Sequence, residues 1–159
     1  MTLPVWRSPE LIVQARNILH SFRRVVGRDL LASSGDESVD AQALFDAPFV
    51  VLSHGTQADP VLNYGNALAL KLWEMPFDRF TATPSRLTAE LMLREDRQRL
   101  LETAARQGYI DDYSGVRISA TGRRFYIKDV VLWNVSDDSG RMLGQAATFD
   151  KWAPVNENA

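Results

Sequence analysis

The sequence predicts an α+β domain built on a five-stranded antiparallel sheet with helices on one face. Two observations carry this. Short runs rich in β-branched and aromatic residues fall in two groups, one ending near residue 65 and one starting near residue 109. The helix-like segments lie together between those groups instead of alternating with single strands, which argues against a parallel βαβ sheet. A third feature stands apart from the sheet: an amphipathic N-terminal stretch whose apolar stripe needs a surface to cover.

The elements follow in order. Ser8-Pro9-Glu10 reads as a helix start, with a capping hydroxyl, proline at the first helical position and an acid at the positive end of the dipole. Leu11, Ala15, Ile18, Phe22 and Val25 then recur at steps of four and three, giving a helix of about 18 residues. Gly27 suits its end, and a last turn could run to Leu31. The turn-rich stretch 32–38 is the one boundary, so 1–38 is expected as helix plus connector, 39–152 as the domain and 153–159 as a disordered tail. A short helix is expected over 39–46, and strands over Phe49–Leu52 and Val61–Gly65. Asn66 can cap a helix over Ala67–Glu74 that Pro76 stops. Thr83-Pro84 repeats the cap-and-proline start, and a charged helix runs from Arg94 to Gln107 with Leu100, Leu101, Ala104 and Ala105 inward. Strands over 109–120, 123–136 and 141–150 close the chain.

Composition excludes several functions. The chain has 159 residues, enough for one domain with a real core. Eighteen Lys and Arg face 20 Asp and Glu, a net charge of −2, so no general pull toward nucleic acid or an anionic membrane is expected. Cysteine is absent, which removes disulfides, thiolate catalysis, Cys-ligated metal sites and flavin–cysteine chemistry. With two histidines and no HExxH-type spacing, no dedicated metal site is expected. The N-terminus lacks the apolar run of a signal peptide, and no stretch is long enough for a membrane span, so a cytoplasmic location is expected.

Five segments carry a family resemblance: DPVLNYGNALAL (59–70), TPSRLTAE (83–90), GYIDDYSGVRI (108–118), GRRFYIKDVVLWNV (122–135) and GQAATFDKW (144–152). Together, and in this order, they resemble the MEKHLA domain, a PAS-related family, in its free-standing bacterial form. The resemblance covers about residues 40–152 and implies a PAS-like fold with a sensory or regulatory role. It implies no catalytic set. The homeodomain and lipid-binding domain that accompany MEKHLA domains in plants have no counterpart here, so a DNA-linked role does not carry over.

A two-residue loop at Thr121-Gly122 would pair Ala120 with Arg123, Ile118 with Phe125, Val116 with Ile127 and Ile110 with Trp133. That register puts a polar notch of Asp112, Ser114 and Asp129 on the concave face, with Trp133 as a wall. In PAS folds this face binds ligands. His54 and Arg86 are candidate partners for the buried acids, and Arg117 is expected on the opposite face. The other reading is that the notch only satisfies backbone groups. His54 and Asp59 could also form a base–orienter pair, but no nucleophile or oxyanion loop accompanies them. Of the histidines only His54 lies near the core, so haem is not expected, and the identity of any cofactor stays open.

The opposite face should show Tyr126, Val130 and Leu132, matched by Ile18, Phe22 and Val25 of the N-terminal helix, which packs there in its own subunit or in a homodimer mate. The expected function is a sensory or regulatory module that binds a small molecule, a partner protein or both, with a downstream regulatory protein as its output. Two alternatives stand beside it: a small isomerase or hydrolase using Asp112 or Asp129 as a general base, and a structural adaptor without ligand.

Overall fold

The computed structural model describes residues 4–89 and 94–155. Six strands, β1 (Val50–His54), β2 (Leu62–Gly65), β3 (Tyr109–Ile118), β4 (Arg124–Ser136), β5 (Met142–Phe149) and β6 (Lys151–Pro154), form one sheet in the order β2-β1-β5-β4-β3, with β6 also on β4. Every pairing is antiparallel. Helices α3 (Ala67–Trp73), α4 (Phe77–Phe80) and α5 (Arg94–Gln107) serve the inner face, and α1 (Pro9–Val26) and α2 (Glu37–Phe45) the outer one. Strand β6 is a sixth strand beyond the five expected. Val131 faces Thr148 and Lys128 faces Lys151, so β5 and β6 share one register on β4 and are separated only at Asp150. Ala153 and Pro154, expected in the tail, therefore pair with Tyr126 and Phe125. Residues 156–159 of that tail, and the side chain of Leu101, lie outside the described residues.

Local chemistry sets the helix ends. Ser8 Oγ accepts from Leu11 N at 3.3 Å, and Gly27 closes α1 in the left-handed conformation at φ 88°. Asp36 accepts from Ser38 N and Val39 N, which starts α2 at Glu37, two residues before the expected position.

The long β3–β4 hairpin departs from the expected register in two ways. Its loop has three residues, Ala120 to Gly122. Ser119 N donates to Arg123 O at 2.9 Å and Gly122 N to Ser119 O at 3.0 Å, with Gly122 left-handed at φ 87°. This is a type I turn closed by a glycine bulge, and it sets Ile118 opposite Arg124, not Phe125. Two β-bulges follow. Gly115 faces Ile127 and Tyr113 faces Val130, so Lys128 and Asp129 together oppose Ser114; Asp129 sits at φ 55°. Ile110 then faces Leu132, so Asp111 and Asp112 together oppose Val131. A bulge reverses the inward–outward parity of its strand. The inner face thus carries Ile110, Tyr113, Phe125, Ile127, Val130 and Leu132, and the outer face Val131, Trp133 and Val135.

Helix α1 packs across the outer face of its own sheet. Ile18 and Phe22 are fully buried and Val25 partly so, against Val131, Trp133 and Val135. The helix docks where it was expected to, but Val130 and Leu132 are not its partners. The bulge at Asp129 turns them inward, and Tyr126 lies exposed at the far end of β4. The Phe22 ring meets Trp133 edge-on at 4.8 Å, and Trp133 Nε1 donates to Ser21 Oγ at 3.0 Å. Polar ties hold both ends: Gln14 donates to Ser53 and Asn63, and Arg24 donates to Ser136 and Asp138.

Asn66 joins three elements at one fully buried point. Its Oδ1 accepts from Val51 N and Ala69 N, and its Nδ2 donates to Leu44 O and Phe49 O. One amide therefore caps α3, pairs with β1 and fastens the end of α2.

Two outcomes follow for stability. Phe22→Ala should cost about 3–5 kcal/mol in urea unfolding, as the loss of a ring from a close-packed core does. Asn66→Asp keeps a good helix cap but sets a carboxylate against two carbonyls, so it should destabilise by at least as much as Asn66→Ala, about 2–4 kcal/mol. A near-neutral Asn66→Asp would show that capping alone is what this residue does.

Candidate functional site

Between the inner sheet face, Trp73 of α3, the turn at Ser85–Thr88 and α5 lies a cavity of about 430 Å³. Its walls are mostly apolar, with Leu52, Leu62, Trp73, Ile127 and Phe149 from the core and Leu100 and Ala104 from α5. The rim is held by backbone bonds: Leu62 N to Thr83 O, Ser85 N to Pro60 O, and a bridge between Ala89 and Arg117. These tie the segment after α4 to β2 on one side and β3 on the other.

Polar groups enter from two sides. On β1 and β5, His54 sits opposite Gln145, and both line the cavity. His54 Nδ1 lies 2.9 Å from Gly55 O. A carbonyl only accepts, so Nδ1 carries the hydrogen of this bond. Arg86 lines the rim, where its Nε donates to both oxygens of Asp59 at 3.1–3.2 Å in a largely exposed pair. On β3, Arg117 Nη2 donates to Tyr113 Oη at 3.1 Å and Nη1 to Val116 O at 3.2 Å, with the guanidinium 5.2 Å from the Tyr113 ring centre. Gly115 lies between them. A Cβ there would stand 2.7 Å from Tyr113 Oη, so the missing side chain is what lets the pair close over the strand.

The expected polar notch is not in this cavity. Asp112, Ser114 and Asp129 are all exposed, and both aspartates belong to the bulges that turn them out of the sheet. Asp129 bonds Lys151 at 2.9 Å, which holds its carboxyl below the usual range and the Lys151 ammonium above its own. Trp133 is no cavity wall, because it is buried under α1 on the other face. Asp112 and Ser114 line an open groove beside α5 instead, so the general-base reading loses the enclosed apolar setting it needs. His54 and Asp59 do not pair either, since each is bonded elsewhere. Of the six expected ligand-binding residues, His54 and Arg86 line the cavity.

Tyr113 was missed as a site residue, and Arg117, expected on the opposite face, lines the cavity instead. Their spacing, Tyr-x-Gly-x-Arg, puts three residues on one strand face with space above the glycine. The three-residue loop and the bulge at Asp111-Asp112 together turn that face inward. Among the described residues no group of three His, Asp or Glu could hold a metal ion, and no helix is long and apolar enough to cross a membrane.

The sheet order and the covered concave face are those of a PAS domain. The structure resembles the PAS domain of a protein from Colwellia psychrerythraea, with a TM-score of 0.55 at 11% identity, covering 74% of this chain and 95% of that one. A light-oxygen-voltage domain solved with a flavin analogue aligns at a TM-score of 0.55 and 13% identity, over 79% and 90% of the two chains. The light-state dimer of the fungal blue-light photoreceptor Vivid gives 0.53 at 12% identity, over 82% and 91%. The MEKHLA domain model matches residues 12–154, and the chain belongs to that family. No curated protein matches it.

One half-buried carboxylate fastens the hairpin beside the cavity to α3. Glu74 caps α3 at φ 59°, accepts from Ser119 Oγ at 2.6 Å and from Thr121 Oγ1, and pairs with Arg123 at 3.6 Å. Trp73 O meanwhile accepts from Ala120 N. The two hydroxyl bonds, helped by Arg123 and opposed by partial burial, hold the Glu74 carboxyl below its ordinary value of 4.5. A depressed carboxylate contributes stability above its unfolded pKa and loses it as pH falls through the folded one. Wild type should therefore be more stable than Glu74→Gln at neutral pH, with the gap shrinking below pH 4.5. Thermal unfolding of both proteins across that range checks this.

Proposed function

We propose that this domain is a sensory module that holds a small, largely apolar molecule in the cavity and passes its occupancy to a partner protein. The supporting observation is the cavity itself. At about 430 Å³ it falls within the range of small-molecule sites, and it has the usual mixture of apolar wall and few polar groups. The PAS neighbours are consistent with this, since one is a PAS domain from a two-component sensor histidine kinase. Helix α5 is the natural moving part. Its exposed side is heavily charged, while Leu100 and Ala104 pack on the inner core and line the cavity, so an occupant adds apolar contacts that the empty site lacks.

A homodimer through the outer sheet face loses its motivation, because α1 of the same chain already covers that face. The adaptor reading that relied on the same surface weakens with it.

Fluorescence titration with N-phenyl-1-naphthylamine, a neutral apolar probe, tests the proposal. Saturable binding is expected in wild type. It should fall at least tenfold in Ala147→Phe, which adds a ring to the cavity floor at the cost of about one unit of binding energy on the tenfold scale. Probe binding unchanged by that substitution would overturn the cavity as the site.

A further inference from the structure

We infer that the molecule this cavity takes is an organic anion, an apolar body with one oxyanion head seated on Arg117 and Tyr113. This deepens the reading of the cavity as a ligand site and rests on it.

The charge of the lining is one-sided. Among the described residues the cavity is lined by two cations, Arg86 and Arg117, and by no aspartate or glutamate. The two arginines differ in what they face. Arg86 is on the rim and is already neutralised by Asp59. Arg117 is half-buried on β3, and its partners among the described residues are neutral: a backbone carbonyl and a phenol. A guanidinium drawn out of water without a counter-charge is costly. It also has donors to spare, since the two bonds use two of its five N–H groups.

The phenol completes the seat. Tyr113 is buried, and its oxygen receives the Arg117 N–H, so its own hydrogen remains to be donated. A carboxylate, sulfonate or phosphate beside this pair would gain a charge-assisted bond from Arg117 and a hydroxyl bond from Tyr113, neither of which a neutral molecule can match. Gly115 keeps the space the pair needs. The rest of the cavity, walled by Leu52, Leu62, Trp73 and Phe149, suits an aliphatic or aromatic body. On the far side, the His54 imidazole and the Gln145 amide can select for a polar substituent.

Two probes with the same apolar body separate this from the parent reading. 8-Anilinonaphthalene-1-sulfonate carries an anion, and N-phenyl-1-naphthylamine is its neutral counterpart. Wild type should bind the sulfonate roughly tenfold more tightly. Arg117→Met should remove that preference and leave the neutral probe within about twofold. Arg117→Lys, which keeps the charge without the fork, should retain part of it, and Tyr113→Phe should weaken only the sulfonate. Equal binding of both probes in wild type, or a preference that survives Arg117→Met, overturns the anion assignment while leaving the cavity a ligand site. Sulfonate binding that persists in Ala147→Phe is surface binding and also overturns it. Failure of both probes to bind wild type overturns this inference together with the reading it rests on.

Discussion

The arrangement of this domain depends on one constraint in the β3–β4 hairpin, where each strand carries one extra residue. Lys128-Asp129 bulge on β4 and Asp111-Asp112 bulge on β3, and the strands keep one register at both ends. Each bulge reverses the parity of its own strand. On β4 this lets Phe125 and Ile127 face inward near the hairpin while Trp133 and Val135, farther along, face outward to α1. On β3 it turns Tyr113 and Arg117 into the cavity. The outer core and the cationic wall are therefore consequences of the same two irregularities. The residues that form them are polar and exposed, and asparate at position 129 is among the few types that tolerate φ near 55°.

This also explains which parts were legible in the sequence. Local signals read correctly at the Ser8 cap and Gly27 stop of α1, the Asn66 cap of α3 and the C-terminal end of α5, though the Asp36 cap of α2 was overlooked. The order of five strands and the docking of α1 on the sheet's outer face were legible too, because a broad apolar stripe must find a surface. The hairpin faces were not. A straight register matched Ile118 to Phe125 and Ile110 to Trp133 as apolar pairs, so the pattern seemed self-consistent. Nothing in Asp111-Asp112 or Lys128-Asp129 taken alone distinguishes a bulge from a polar strand position. Helix α4 and strand β6, four residues each, went unseen for a related reason: elements that short are held by tertiary contacts and not by their own periodicity.

Helix α1 is part of the domain in a stronger sense than its composition suggested. The family match begins at residue 12, inside α1, and without that helix Trp133, Val131 and Val135 would lie bare to solvent. The sheet is thus covered on both sides, but by different kinds of layer. On the outside, an 18-residue helix brings Phe22 against Trp133 and is tied at both ends by side-chain hydrogen bonds. On the inside, α5 meets the sheet mainly through β3 and rests over space.

That asymmetry bears on how a molecule enters a site with such walls. Opening free energies within one protein range from near zero to the full global value, according to how much each segment buries. Among the described residues α1 buries Leu11, Ala15, Ile18 and Phe22, whereas Leu100 and Ala104 of α5 are only partly buried, so the lower opening cost is expected of α5. On the proposed reading of the cavity, α5 is the wall that would open to a guest, while the sheet, held from behind by α1, stays assembled as its floor. Gate and frame would then lie on opposite sides of one sheet.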